Sequence, residues 1–319
     1  MPFHPSDYLG SIDPKTLRVR RPTSIIFLCG GIIEEASPTP VSLRDCFARL
    51  ALAGGVAGHQ IVVAEAGAPL QIDAGYRDLF QFESDIAAAV SLILLFSESP
   101  GSLAELGAFA ALPSVAHRLL AVIDDVYYAK ESFVRNGPIK FLEEEIGDES
   151  VFKLERADVG ISDTGDVSAV DLSALGVQLA PAINSRIDSF SESEVFKQAE
   201  YGHIVLLICG IIYDYGAMKS GEIRELLLGL NIELNDVRLK NLIYCNLLFG
   251  WVKKIKKGNN TFYASSTNVR AVEFSSRAAG KRKRFSDGGI RWRANFRDYW
   301  SAHDRPRTNA IADAAGGAA

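Results

Sequence analysis

The chain has 319 residues, of which 48% are apolar and 23% are charged, and its formal net charge is −5. This length predicts one or two globular domains. No apolar run approaches the roughly 18 residues that a membrane span needs, which argues against an integral membrane protein. The first residues lack the basic start and apolar stretch of a signal peptide. The four cysteines lie scattered among apolar neighbours without metal-ligand spacing, as is typical of reduced core residues in a cytoplasmic protein.

The first part of the chain alternates between strand and helix patterns. The predicted strands are residues 24–31, 60–66, 91–99 and 118–124, and the predicted helices between them are residues 42–55, 78–90 and 102–112. The strands are continuous apolar runs, which is typical of a sheet covered by helices on both faces. We therefore assign residues 1–155 to an α/β domain with a doubly wound parallel sheet.

The pattern changes after this domain. Residues 156–194 are rich in Asp, Ser and Gly, and we expect a linker or a loosely structured extension there. Three helix patterns follow, and residues 251–266 then have the pattern of strand, Gly-Asn-Asn turn and strand. This order predicts a small winged helix-turn-helix domain over residues 195–266. Residues 267–319 are predicted to be a basic, flexible tail that ends in small residues.

Charge is distributed unevenly along the chain. Residues 251–310 hold 15 Lys and Arg against four acids, a local charge of +11 that leaves −16 on the remainder. A basic region on an acidic body suggests a polyanionic partner. A solvated basic tail without a partner is the alternative.

Polar residues and glycines follow the predicted strands. In an open parallel sheet, ligands bind beyond the carboxyl ends of the strands, near the switch in strand order. The candidates at that edge are Cys29, Gly30, Gly31, Glu65, Glu98, Ser99, Gly101, Ser102 and Asp124, together with Arg44 in the first turn of the following helix. Each has a plain alternative: the glycines can form only a turn, Glu65 can end a strand, Asp124 can solvate a loop, and Arg44 can lie on the surface. Neither a dinucleotide fingerprint nor a P-loop is present.

Glu105 is an acid within an otherwise apolar helix. Ser102 and Glu105 fit the S-x-x-E capping box, in which the glutamate accepts a hydrogen bond from the serine amide. A capping role would explain this acid without any catalytic one.

The segment SPGSLAELGAFA resembles the nucleophile motif of the nucleoside 2-deoxyribosyltransferase fold. More narrowly, FLCGG, SLRDCFARL, VVAEA and FESDIAAAVSLILLFSESPGSLAELGAF, in that order and followed by a winged-helix pattern, resemble the effector proteins of bacterial retrons. The resemblance covers residues 24–125 well and residues 200–266 by pattern.

The resemblance implies an N-glycosidase or a deoxyribosyltransferase-like enzyme. It assigns the nucleophile to Glu105, supported by Gly101 and Gly107. A second acid can assist the leaving base in such a reaction, and Glu98 or Asp124 is the candidate for it. The expected substrate is a nucleotide, NAD or a base in nucleic acid, and no cofactor is expected. The expected partners are the branched RNA–DNA hybrid of the retron (msDNA) and a separate reverse transcriptase, in a complex that can reach a higher-order oligomer.

Basic residues of the second domain are the candidates for nucleic-acid binding. In a winged helix the third helix enters the major groove and the wing contacts the backbone. The candidates are Arg238, Lys240 and Asn241 on the third helix, Lys253, Lys254, Lys256 and Lys257 on the wing, and Lys281, Arg282, Lys283 and Arg284 in the tail, where Arg291, Trp292 and Arg293 add charge and an aromatic ring. A protein-binding winged helix is the alternative.

Two further functions of the whole chain stay open: a DNA-binding regulator that only senses a nucleotide, and a nucleoprotein scaffold.

Overall fold

The structure, a computed structural model, describes residues 3–63, 76, 78–274 and 288–316. The chain divides into two units that are interleaved in sequence. The α/β unit consists of Thr23–Ala66 and Ile86–Ser191, and the helical unit consists of Met1–Pro22, Gly67–Asp85 and Glu192–Ala319. The first residues were expected to belong to the α/β domain. The structure groups them with the helical unit, where the Tyr8 hydroxyl donates a 2.6 Å hydrogen bond to buried Asp214.

Most strands of the described residues are short. They are β1 (Arg18–Val19), β2 (Ile25–Cys29), β3 (Gln60–Val63), β4 (Leu92–Phe96), β5 (Leu119–Asp124), β6 (Val151–Leu154), β7 (Glu194–Val195), β8 (Ala217–Met218), β9 (Val252–Lys257), β10 (Asn260–Ser265) and β11 (Val272–Glu273).

The α-helices range from single turns to 17 residues. They are α1 (Ser6–Ser11), α2 (Leu43–Leu52), α3 (Leu79–Ala89), α4 (Pro100–Ala110), α5 (Pro113–Ala116), α6 (Asp125–Ala129), α7 (Arg156–Val159), α8 (Leu172–Asp188), α9 (Tyr201–Tyr215), α10 (Ser220–Gly229), α11 (Asp236–Leu248), α12 (Gly288–His303) and α13 (Arg305–Gly316). Short 3₁₀ turns occur at Pro14–Thr16 and Asp148–Ser150, and π turns occur at Arg135–Ile139 and Leu142–Ile146.

The α/β unit contains a parallel sheet. Its strands pair in the order β3-β2-β4-β5-β6, and every pair is parallel. β2 and β4 are buried along their whole length, as expected when helices cover both faces. The predicted α/β fold with a doubly wound parallel sheet is confirmed. The chain runs from β2 to β3 on one side and returns to β4 on the other, so the switch in strand order lies between β2 and β4.

The segment expected to be a linker contains the longest helix of the described chain. Helix α8 has 17 residues and begins at the cap Asp171, whose carboxylate accepts hydrogen bonds from the amides of Ser173 and Ala174. Leu175, Leu179 and Ile183, spaced four residues apart, are buried in the same core as β2 and β4. The expectation of loose structure is therefore wrong. The polar residues that suggested loose structure precede the helix. They dominate the composition of the segment, so the apolar residues of the helix were not recognised as a helical pattern.

The helical unit contains two small antiparallel sheets. One has the order β11-β1-β7 and the other has the order β8-β10-β9. Along the chain the second sheet is interleaved with helices in the order α9, β8, α10, α11, β9, β10. The predicted hairpin is confirmed, with Asn260 paired to Lys257 next to a turn in which Gly258 has a φ of 59°. Glycine adopts this left-handed conformation without the steric cost that a Cβ brings.

The C-terminal region is helical where the structure describes it. Phe296 and Trp300 of α12 are buried and stack at a ring distance of 5.9 Å. In α13, Ala310 and Ala314 are buried against Phe262 of β10. The predicted flexible tail is therefore wrong for residues 288–316. Its small residues allow close packing on the sheet, although their composition suggests a segment without core-forming side chains.

Among the described residues, no helix is both long and apolar enough to cross a membrane.

Candidate active site and nucleic-acid surface

The Glu98 carboxylate lies at the switch in strand order. Oε1 accepts hydrogen bonds of 2.9 Å from the backbone amides of Gly31 and Arg44, and Oε2 accepts one of 2.6 Å from the amide of Leu43. Leu43 and Arg44 are the first residues of α2, whose amide groups are free of intrahelical partners. Glu98 therefore joins the end of β4 to the turn after β2 and to the amino terminus of α2.

The Gly30-Gly31 pair makes room for this carboxylate. A Cβ atom on Gly31 would lie 2.7 Å from Ser42 Cβ and 3.0 Å from Glu98 Oε1, and one on Gly30 would lie 2.8 Å from Arg44 Cβ. Real Cβ atoms do not approach so closely. The two glycines, predicted as ligand contacts, are thus required for the approach of the protein's own glutamate.

Arg44 is directed at the main chain of the same turn. Its side chain is buried, with Nε donating to the Leu28 carbonyl at 3.1 Å and Nη1 donating to the Gly31 carbonyl at 3.2 Å. This geometry differs from both sequence interpretations of Arg44, a ligand contact and a surface residue. The guanidinium fixes the carboxyl end of β2 and lies close enough to Glu98 to favour its charged form.

Opposing effects act on the ionisation of Glu98. Burial raises the pKa of the Glu98 carboxyl above its ordinary value, and this effect exceeds the lowering by the three amide donors and by Arg44. The carboxylate is thus a desolvated group held in place by backbone hydrogen bonds. Both oxygens are engaged, so we assign Glu98 a positioning role in place of the predicted role as second acid.

The capping box of α4 differs from the predicted one. The cap is Ser99, whose Oγ accepts a 3.1 Å hydrogen bond from the Ser102 amide, while Ser102 Oγ accepts a 2.9 Å hydrogen bond from the Ser99 amide. The helix begins at Pro100, three residues before the predicted pairing of Ser102 with Glu105 would allow. Serine at the third helical position replaces the usual Glu or Gln. The helix cap therefore does not explain Glu105.

Glu105 lies in the second turn of α4. Its side chain is half-buried, and its Oε2 atom is inaccessible to solvent. The nearby glycines border open space: a Cβ on Gly107 would meet no described atom within 4 Å outside its own helix, and one on Gly101 would meet only Ser99 Oγ, at 3.9 Å. Neither glycine is thus required by packing. Small residues next to an acid leave space for another molecule.

Asp124, the other predicted second acid, is held by two partners. Its Oδ1 accepts a 2.9 Å hydrogen bond from the Tyr127 amide and caps α6. Its Oδ2 forms a 2.9 Å ion pair with Arg156, and both side chains are about nine-tenths buried. This is a structural role, since a general acid needs an oxygen that can reach the substrate.

Ser97 is a buried polar residue that the predicted site omitted. It is 8% exposed, and its hydroxyl makes no hydrogen bond to the described residues. A buried hydroxyl without a partner costs about 1–3 kcal/mol, so such groups in native proteins call for an explanation. The sequence signal was present: a serine directly follows the apolar run of β4, at the edge where ligands bind.

Two other predicted residues of this edge add little. Cys29 is the last residue of β2 and is buried, and Glu65 lies outside the described residues.

A separate cavity of about 1140 Å³ is bordered by α2 and β3, with Glu34, Arg49 and His59 in its lining. Of the predicted site residues that the structure describes, none lines that cavity.

The wing lysines lie on opposite faces of β9. Side chains alternate along a strand. Lys253 donates a 3.1 Å hydrogen bond to the Ala314 carbonyl, and Lys257 forms a 2.5 Å ion pair with Asp313, so both contact α13. Lys254 and Lys256 are exposed. Of the four predicted residues, these two lie where a nucleic acid could reach them.

The predicted recognition helix, α11, is largely buried. Arg238 forms a bidentate ion pair with Asp85, with Nη2 at 2.6 Å from Oδ1, and its guanidinium lies 3.7 Å from the centre of the Tyr201 ring. Asn241 is 1% exposed, whereas Lys240 is exposed. Arg238 and Asn241 therefore stabilise the helical unit, in contrast to the predicted contacts with nucleic acid.

The aromatic residues of α12 pack internally. The Trp292 ring meets Tyr8 edge-to-face at 5.3 Å, and the Arg293 guanidinium lies 4.2 Å from the centre of the Tyr213 ring. Neither is arranged as a platform for single-stranded nucleic acid. Arg291 is exposed, and the predicted tail residues Lys281, Arg282, Lys283 and Arg284 lie outside the described residues.

The chain thus combines a doubly wound α/β unit, with acidic side chains at its switch point, and a helical unit that bears a basic hairpin. The model of the family described as STM3845 retron effector protein matches residues 40–254, more than half of the chain. The chain therefore belongs to the STM3845 retron effector family.

A shorter similarity connects the chain to a curated protein. Over 68 residues it is 40% identical to the Escherichia coli protein named "Retron Ec86 putative ribosyltransferase/DNA-binding protein". The match covers 21% of this chain and 22% of that protein. The chain thus matches about a fifth of the length of this relative.

Proposed function

We propose that the chain is the toxic effector of a retron antiphage system and that its α/β unit cleaves N-glycosidic bonds. Membership of the retron effector family supports the first part, and the ribosyltransferase in the relative's name supports the second. The observation that carries the assignment of Glu105 is the capping box of Ser99 and Ser102, because it removes the capping role that the sequence offered for this acid. Open space beside Gly101 and Gly107 supports it further.

In the proposed reaction, the Glu105 carboxylate attacks the anomeric carbon of a nucleotide-type substrate. The bond from that carbon to the base nitrogen breaks, and the base leaves with the electron pair and takes up a proton from solvent. Water, or the hydroxyl of an acceptor, then displaces Glu105 and gives a free sugar or a transfer product. Glu98 and Arg44 hold the turn after β2, and Asp124 with Arg156 holds the turn after β5.

We further propose that residues 201–265 of the helical unit form a winged helix-turn-helix that binds msDNA. The order of helix, strand, two helices and hairpin supports this, as does the pairing of β10 between β8 and β9. Among the described residues of this segment, the predicted contacts Lys240, Lys254 and Lys256 are exposed. They would bind phosphates without reading sequence.

Replacing Lys254 and Lys256 together by Ala is expected to lower the slope of log affinity against log salt for msDNA by about 2, since each lysine neutralises about one phosphate. The matched control is Lys253 and Lys257 replaced by Ala, which removes the same charge from the face that contacts α13. Binding titrations at several salt concentrations measure both slopes. If the slope falls equally in the control variant, or does not fall in the variant of Lys254 and Lys256, these two lysines do not contact the phosphates.

The effector role predicts that the chain is toxic when expressed alone and that its reverse transcriptase and msDNA relieve the toxicity. An unrestrained enzyme that cleaves cellular nucleotides would harm its host, so restraint has to come from the complex. Growth is measured in four cultures, with and without the chain and with and without the reverse transcriptase together with its msDNA. A chain that is folded and well expressed, yet harmless in both cultures that contain it and after phage infection, would favour the alternative of a DNA-binding regulator or scaffold.

A further inference from the structure

We propose that Glu98 permanently occupies the anion site at the amino terminus of α2, and that the substrate therefore presents a neutral hydroxyl face, without phosphate, to the switch point. This inference rests on the proposed function of the same unit. It limits the substrate class, because any phosphate of the substrate has to bind away from the turn after β2.

The geometry places a carboxylate where a ligand phosphate would be expected. Helix amino termini at the switch point of doubly wound sheets attract phosphate, because their amides lack partners and carry partial positive charge. In this unit the amides of Gly31, Leu43 and Arg44 all donate to Glu98. Three donors that a phosphate would need are consumed within the protein.

The surroundings of the carboxylate are built for it. Gly30 and Gly31 lie so close to the carboxylate and its neighbours that neither position has room for a Cβ atom. The Arg44 guanidinium donates hydrogen bonds to the carbonyls of Leu28 and Gly31. A phosphate at this point would have to displace a carboxylate that is bound through both oxygens, or else lie beside a like charge. Both alternatives disfavour a phosphorylated group here.

Ser97 is a neutral polar residue at the same end of β4 as Glu98. Its hydroxyl is buried and makes no hydrogen bond to the described residues, and it directly precedes Glu98. A hydroxyl is a neutral donor and acceptor, which suits a sugar hydroxyl or a base edge. The acid and the serine together favour a nucleoside-like face at this edge.

The test uses amide NMR signals of the full chain, with inorganic phosphate and ribose 5-phosphate as probes. In the wild-type protein, neither probe is expected to shift the amide signals of Gly31, Leu43 and Arg44. In Glu98→Ala the carboxylate is gone and the amides are exposed to the probes. Both probes are then expected to shift these three signals in a saturable way, with an affinity at least about tenfold above the limit that the silent wild-type titration sets.

A saturable shift of these signals in the wild-type protein would overturn the inference, as would their silence in a folded Glu98→Ala protein. Glu98→Ser provides a second small side chain, and if neither variant folds, the wild-type measurement decides. The readout needs no turnover. Base release that depends on Glu105, together with phosphate binding at α2, would refute this inference and leave the proposed function intact.

Discussion

Glu105→Gln is expected to abolish growth arrest and phage protection while the protein stays folded. The substitution removes the nucleophile, and loss of such a group lowers the rate by about 10⁴-fold or more. The free energy of unfolding should be nearly unchanged, because the cap of α4 is made by Ser99 and Ser102 and the amide of Gln fills the same volume. Growth curves, plaque counts and a denaturant titration measure the three properties.

Two control variants separate catalysis from stability. Ser99→Ala removes the cap and should lower the free energy of unfolding by about 1 kcal/mol. Glu144→Gln changes an exposed acid of the same unit, whose side chain is 62% exposed, and should alter neither growth nor stability. A folded Glu105→Gln protein that still arrests growth would exclude Glu105 as the nucleophile.

Arg238→Ala is expected to lower the free energy of unfolding by about 3–5 kcal/mol, because it leaves the Asp85 carboxylate buried without its guanidinium partner. Asp85 is 5% exposed at its side chain, and besides the guanidinium it accepts a 2.8 Å hydrogen bond from Tyr76. The variant also loses the contact between the guanidinium and the Tyr201 ring. Chemical denaturation of the variant and of the wild-type protein measures this loss.

Lys240→Ala is the matched control on the same helix, because Lys240 is exposed and should change stability by no more than about 0.5 kcal/mol. A double variant with Arg238→Met and Asp85→Leu removes both charges and should be more stable than Arg238→Ala. If Arg238→Ala lowers the free energy of unfolding no more than Lys240→Ala does, the ion pair with Asp85 does not stabilise the unit. Arg238 is then again a candidate for contact with nucleic acid.

Sequence patterns predicted the parallel sheet well because its strands are defined by local composition. The runs that became β2 and β4 are apolar throughout, and Gly30-Gly31 and Ser99 mark where the chain turns. Strand β6 was missed because its sequence, VFKL, is a short apolar run interrupted by Lys153. Helix α8 was missed because the polar residues that precede it dominated the composition of the segment.

Side-chain partners distant in sequence could not be predicted. Arg238 and Asp85 are 153 residues apart, and nothing in the pattern of α11 indicates that its arginine is buried. Glu98 was predicted as a catalytic acid because acids at strand ends often serve that role, yet its partners are amides of the first turn of α2. Two of the wing lysines contact α13 and two are exposed, and this difference depends on helix α13. The small residues of the C-terminal segment gave no sign of this helix in the sequence.

Release of free nucleobase is the most direct test of the central claim, that Glu105 makes this retron effector an N-glycosidic enzyme. The purified chain, with and without its reverse transcriptase and msDNA, is incubated with nucleosides, nucleotides and NAD, and the bases are separated by chromatography. We expect a base to be released from at least one substrate by the wild-type protein and from none by Glu105→Gln. Equal release by both proteins, or no release by the wild-type protein in any of these mixtures, would contradict the claim.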